Sequence, residues 1–207
     1  MARPVIIVGG GAHGRVAIET ATLAGMTLAG VVDSALARGS TVYDVRVLGG
    51  DQAVTEAALR ANDIHVAITD IATRRRLREA LAARGAAFAT ILHPRCIVSP
   101  RARVGAGSFL AANAIVGTHA SLGENVILNT GAQVDHDCAI GADSHIGPGA
   151  VLAGGVRCGE GVFIASGVVV APNVIIGAGA VIGAGAVVLR FVPEGALVYG
   201  VPAMRKN

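Results

Sequence analysis

The 207-residue chain has no tryptophan, two tyrosines and four phenylalanines. That scarcity excludes the aromatic platforms on which single-stranded nucleic acids stack. Cysteine is equally sparse. Cys96, Cys138 and Cys158 are odd in number and form no CxxC pair, so neither a disulfide framework nor a zinc ribbon is expected, and the thiols read as reduced and cytoplasmic. Hydrophobic residues make up 53% of the chain, yet no stretch approaches the roughly 18 unbroken apolar residues that a membrane span needs. The opening MARPVIIVGGGAHG has no charged n-region followed by a cleavage site, so no secretory signal is expected. A net charge of +3 suits anionic small molecules but is too small to argue for nucleic acid.

What the chain has in abundance is a period of six. From Val98 to Val188 every sixth residue is apolar through sixteen hexads: Val98, Val104, Leu110, Val116 and onward, with Cys158 the one non-aliphatic member. Four residues after each of the first fifteen sits a small residue or Val, from Ala102 and Ser108 to Ala186. No amphipathic helix has this period, and a flat strand has a period of two. A hexad repeat predicts a parallel β-helix, a triangular prism of short strands and tight corners. Three hexads close one coil, so the prism has about five coils and is about 25 Å long at the usual strand spacing. Cys138 and Cys158 fall on inward positions and are expected in its core.

Residues 1–92 read differently. Strands are expected at Pro4–Val8, Leu28–Val32, Ile64–Ile68 and Ala86–Leu92, with helices over Ala12–Ala24, Asp51–Arg60 and Ala72–Ala83. Alternation of this kind means a parallel sheet covered on both faces. His93-Pro94 breaks it, and the prism with its tail occupies 93–207.

Gly9-Gly10-Gly11-Ala12-His13-Gly14 fits GxGxxG between a strand and a helix, and Asp33 ends the next strand. Glycines there permit a tight turn, and backbone N–H groups at the helix start hold phosphate. A dinucleotide-dependent dehydrogenase is one reading. About 90 residues, however, supply only one mononucleotide-binding half, so a mononucleotide or nucleotide-diphosphate sugar fits the size better. The triple Arg74-Arg75-Arg76 reads as a solvated helix face.

The prism carries His119, His136 and His145. His136 and Asp137 lie between the inward residues Val134 and Cys138, on an outward corner. A carboxylate on one imidazole nitrogen fixes the tautomer and raises the basicity of the other, which is what a general base requires. His145 is nine residues on, half a coil away, so it belongs to a different face and could meet His136 only across an interface between prisms. His119 has no acidic neighbour and reads as solvated. A zinc site needs three or four converging ligands, and this spacing does not resemble the close His pair of the hexapeptide-repeat carbonic anhydrases.

The combination of Gly-Gly-Gly-Ala-His-Gly, His93-Pro94, the hexads bearing Asn129-Thr130, His136-Asp137-Cys138 and Ser144-His145, and the closing Gly200-Val201-Pro202-Ala203 resembles the sugar O- and N-acyltransferases of the sialic-acid O-acetyltransferase type. Within them it is most similar to the acetyl-CoA-dependent N-acetyltransferases of nucleotide-linked 4-amino-4,6-dideoxy sugars in bacillosamine and perosamine pathways. The repeat alone is shared with serine, maltose and chloramphenicol acetyltransferases. The resemblance implies a Rossmann-like α/β half domain followed by a left-handed parallel β-helix, homotrimers, and active sites between adjacent prisms. It implies His136 as base and Asp137 as its orienting acid. Gly11, Ala12, His13, Asp33 and Ser34 would hold the nucleotide sugar, with Asn129 near the reacting centre. His145, Gly154, Ser166 and Ala184 would line the acetyl-CoA groove. No metal is implied. The chain departs from the family where Glu often follows the His, and where Ile68-Thr69-Asp70 replaces Ile-Gly-Asn.

The expected reaction is attack of a neutral sugar amine on the acetyl thioester, with His136 taking the proton and backbone N–H groups or His145 stabilising the oxyanion. Acetylation of a hydroxyl on a free or polymeric sugar is the rival enzymatic reading. A scaffold that binds nucleotide sugar without turnover is the non-enzymatic one.

Overall fold

The computed structural model describes residues 3–205, which divide into two units at Pro94/Arg95. In the first unit, strand β1 (Val5–Val8) is wholly buried and leads through the glycine loop into helix α1 (Ala12–Leu23). Strand β2 (Leu28–Val32) follows, then a hairpin of β3 (Thr41–Val42) and β4 (Val45–Gly49). Helix α2 (Glu56–Ala61), β5 (Asp63–Val66) and α3 (Ile71–Ala82) complete the unit's regular core. The sheet order is β3-β4-β2-β1-β5, parallel except for the β3/β4 pair. The chain thus winds one way from β1 to β2 and the other way to β5. In open α/β sheets ligands bind at such a reversal, outside the carboxyl ends of the strands.

Two sequence expectations need correction here. Asp51–Arg60 is not one helix: a single 3₁₀ turn, Asp51–Ala53, precedes α2. The break is at Thr55, an extended residue whose hydroxyl accepts from the Ala58 N–H at 3.2 Å. A capping threonine starts a new helix rather than continuing the old one. Ala86–Leu92 is not one strand either, being reduced to an isolated bridge at Phe88 and a two-residue strand, Ile91–Leu92.

The second unit is the prism. Sixteen two-residue strands, from Ile97–Val98 to Val187–Val188, recur every six residues, and each pairs in parallel with the strand 18 residues away. They form three faces. Face I holds Ile97–Val98, Ile115–Val116, Gln133–Val134, Val151–Leu152, Val169–Val170 and Val187–Val188. Face II begins at Arg103–Val104 and includes Arg157–Cys158; face III includes Phe109–Leu110, Ile127–Leu128, His145–Ile146 and Phe163–Ile164. The second residue of each strand points inward, and from Leu110 onward these are buried together with the small residues four positions later. Burial of each Val, Leu or Ile stabilises the fold by roughly 1.5–3 kcal/mol. Cys138 and Cys158 lie in this core, where burial pushes the Cys158 thiol up to about 12.

Corners use the left-handed backbone region at their second residue. Asn113, His119, Asn125, Asp137, Asp143 and Asn173 have φ of 58–61°, and glycines fill the other such corners. That region costs least for glycine, then for Asn and Asp, which accounts for the Gly, Asn and Asp richness of the repeat.

Candidate functional site

In the glycine loop, Gly9 and Gly14 are required on steric grounds. Gly9 has φ +103°, and a Cβ there would lie 2.9 Å from Ile68 Cδ1 and 3.0 Å from the Ala67 oxygen. A Cβ on Gly14 would fall 2.0 Å from the Gly9 oxygen. These two glycines close the turn and let the helix pack on it. Gly11 has open space around its missing side chain. It also N-caps α1 without a side-chain bond, and no acidic residue occupies the first turn. The first amides of α1, at Ala12, His13 and Gly14, therefore meet no intrahelical acceptor and suit an anion.

Asp33 is brought beside this loop but is already engaged. Its Oδ2 accepts from the Gly10 N–H at 2.8 Å and its Oδ1 from the Ala35 N–H at 2.8 Å. The carboxylate ties the loop to the end of β2 and retains lone pairs for a further donor. Ser34, Gly11 and Ala12 are exposed beside it, and His13 is half-buried.

On the prism, His136 and Asp137 occupy the corner between faces I and II. His136 Nδ1 donates to Asp137 Oδ2 at 2.9 Å, leaving Nε2 with a free lone pair. The His136 side chain is 56% exposed. That hydrogen bond raises the imidazole above its ordinary value, and the nearby Asp135 charge adds to the effect. Asp135 Oδ1 also accepts from the His136 backbone N–H at 2.7 Å.

One coil further along the same edge lies Gly154. A Cβ there would sit 2.5 Å from both Cε1 and Nε2 of His136. The imidazole thus rests on a bare glycine backbone. The edge also carries Thr118 and His119 one coil earlier, and the Asp137 N–H donates to the Thr118 oxygen at 3.0 Å. His119 is exposed, in the same column as Asp137.

His145 lies elsewhere, on face III, opposite that edge. Only 5% of it is exposed; it packs edge-on against Phe163 at 5.2 Å. Asn129 Nδ2 donates to His145 Nε2 at 3.3 Å, while Asn129 Oδ1 accepts from the Thr130 N–H at 2.8 Å. His145 therefore fixes the amide of Asn129. Ser166 and Ala184 are exposed one coil apart on the edge between faces III and I. Within one chain, then, the sequence-predicted groove residues separate: Gly154 lies with His136, whereas Asn129, Ser166 and Ala184 follow face III.

Two residues went unrecognised in the sequence. In the position after each strand, the repeat carries Gly, Ala or Ser except at Asn129, Asp135 and the terminal Leu189. That exception flags Asp135 beside the expected Asn129. The second is Arg74, expected on a solvated face but only 1% exposed. Its Nη1 donates to the backbone oxygens of Ile68 and Thr69, each at 3.0 Å. Among the described residues no group of three His, Cys, Asp or Glu is placed to hold a metal, and no helix is long and apolar enough to cross a membrane.

Comparison with known proteins follows this division. The family of PglD N-terminal domains matches residues 4–81, and the bacterial transferase hexapeptide family (six repeats) matches 119–154 and 155–190. PerB from Caulobacter crescentus, solved with CoA and GDP-perosamine, is 40% identical, with a TM-score of 0.93 over 99% of this chain and 97% of that one. A histidine-to-alanine mutant of GDP-perosamine N-acetyl transferase from the same organism is 38% identical over the same shares, again at 0.93. The acetyltransferase domain of PglB from Neisseria gonorrhoeae, in complex with acetyl coenzyme A, is 36% identical with a TM-score of 0.91 over the whole of both chains. No curated protein matches in sequence.

Proposed function

The chain belongs to the hexapeptide-repeat acyltransferases that carry a PglD-type N-terminal domain and a left-handed β-helix, and on that premise we propose that it moves the acetyl group of acetyl-CoA to the 4-amino group of a nucleotide-linked 4-amino-4,6-dideoxy sugar. The observation that carries the reading is the His136–Asp137 pair, 2.9 Å apart on an exposed corner, with Nε2 unencumbered above Gly154. The PerB complex with CoA and GDP-perosamine supports the substrate class.

In this mechanism the glycine loop, braced by Asp33, holds the nucleotide diphosphate at the start of α1. The neutral sugar amine adds to the thioester carbonyl. His136 Nε2 takes the proton from the attacking nitrogen, and Asp137 stabilises the imidazolium that forms. Collapse of the tetrahedral intermediate breaks the C–S bond, and the imidazolium returns its proton to the departing sulfur as CoA leaves. Asn129, its amide fixed by His145, is a donor for the acyl oxygen. The three free cysteines and the use of acetyl-CoA fit a cytoplasmic enzyme.

A homotrimer is part of the proposal. The outward residues of face I are Ile97, Ile115, Gln133, Val151, Val169 and Val187. Ile97 and Val169 are 62% and 44% exposed in the single chain. Such an apolar stripe calls for a cover. A neighbouring prism would provide it and would set the His136 edge of one chain against the Asn129–Ala184 edge of the next.

The test is CoA-thiol release with UDP-, GDP- and dTDP-linked 4-amino sugars, each beside its 4-hydroxyl counterpart. Release with one amino sugar and not its hydroxyl analogue supports the reading. Turnover of hydroxyl acceptors alone would transfer it to O-acetylation, and binding of sugar nucleotide with background release would leave only a scaffold.

A further inference from the structure

Arg74 is the largest fully buried side chain among the described residues, and the mechanism above gives it no task. A guanidinium stays charged at all accessible pH values and is costly to bury. Its local geometry shows what that burial accomplishes. Asp70 caps α3, its side chain accepting from the Thr73 N–H at 2.8 Å. Arg74 stands on the first turn, and its side chain runs back beyond the helix start to the oxygens of Ile68 and Thr69. Those carbonyls belong to the segment joining β5 to α3, outside the sheet ladder. The sheet gives these two carbonyls no ladder partner, and one planar guanidinium, itself buried, serves both.

The same segment forms one side of the glycine loop. Ala67 N–H donates to the Val8 oxygen at 2.8 Å, and Ile68 Cδ1 and the Ala67 oxygen crowd the place where Gly9 lacks a side chain. Gly11, two residues on, faces open space. A shift of the 67–70 segment is therefore passed directly to the loop.

We propose that Arg74 is a positioning residue for the acceptor: it holds residues 67–70 as the second wall of the glycine loop and so sets affinity for the nucleotide sugar without touching acetyl-CoA. The inference rests on the reading that the glycine loop takes the nucleotide.

Arg74→Lys and Arg74→Met in the full chain test it. Binding of GDP, UDP and dTDP is measured by calorimetry, and KM is measured for both substrates. Displacement of a positioning element by about an ångström should cost about tenfold or more in nucleotide Kd and acceptor KM for Arg74→Met. Arg74→Lys, which restores a donor but not the fork, should fall between. The acetyl-CoA KM should stay within about twofold, unlike the uniform loss expected of general destabilisation. Equal rises in both KM values, or an unchanged nucleotide Kd in a folded variant, would overturn the proposal. Hydrogen exchange of the wild type gives a readout independent of variant folding. The nucleotide that binds should slow exchange in residues 67–71 as well as 9–14; protection of 9–14 alone also overturns it. A wild type that binds none of the three nucleotides defeats the underlying reading instead.

Discussion

At the scale of single residues, His136, Asp137 and Gly154 act as one device. Asp137 sets the tautomer, and the bare backbone of Gly154 sets where the ring can lie. His136→Ala should lower kcat/KM by roughly 10²–10⁴ with the thermal transition nearly unchanged, because the side chain is outside the prism core. Near-normal turnover would remove His136 from the mechanism. Gly154→Ala should also lower kcat, since the new methyl and the imidazole cannot share the space; an unchanged kcat would show that the ring has another productive position. The pH profile carries a sign. As the proposed base His136 must be neutral to act, and the Asp137 hydrogen bond holds its pKa above the usual 6.5, so the acid limb of kcat/KM should lie above that value. Asp137→Asn should lower the plateau and move the limb to lower pH. A limb that does not move would assign it to another group. The sequence placed His136 and Asp137 side by side on an outward corner, where the structure pairs them; the roles proposed for them came from the family resemblance, since other corners such as Thr118-His119 are also polar. The sequence hid Arg74, because three consecutive arginines on a helix look alike until the start of that helix is placed against the preceding segment.

At the scale of elements, the prism was legible almost strand by strand, since its period of six leaves no competing structure. The α/β unit was legible only in its longer elements. The hairpin Thr41–Gly49 has short strands and a turn at Tyr43, φ +51°, and neither gives a periodic signal. Strand β5 shows how an element carries a condition of its own. His65 is buried within it, with Nδ1 donating to the Ala89 oxygen at 3.0 Å. Burial, helped by the Arg74 charge and opposed by that hydrogen bond, lowers its pKa from 6.5 to about 4. Between those values the unfolded chain binds the proton and the folded chain does not, so stability is full above 6.5 and is lost as pH falls toward 4. Amides of Ile64–Val66 should lose protection against hydrogen exchange across that window, and His65→Gln should flatten the loss. A wild-type profile flat from pH 6.5 to 4 would contradict the burial of a neutral imidazole.

At the scale of the whole molecule, the residues proposed for the prism's site do not converge within one chain. His136 lies on one edge of face I, Ser166 and Ala184 on the other, and the face between is apolar except for Gln133. Light scattering should give about 62 kDa, three times 20.6 kDa, and a fully active monomer would end the interfacial reading. Mass alone does not show that the two edges cooperate between chains, but complementation does. His136→Ala damages the first edge, and Ala184→Phe fills the second, where a pantetheine arm would pass; each homotrimer should be inactive. In a cyclic trimer every interface joins the first edge of one chain to the second edge of the next. When the two variants are co-expressed and assemble at random, an interface has both edges intact only if an Ala184→Phe chain donates the first and a His136→Ala chain the second. That arrangement occurs at about one interface in four. Co-expression should therefore restore about a quarter of wild-type turnover per site, while mixing without subunit exchange restores none. If the site lay within a single chain, every chain would carry a defect and no mixture would be active.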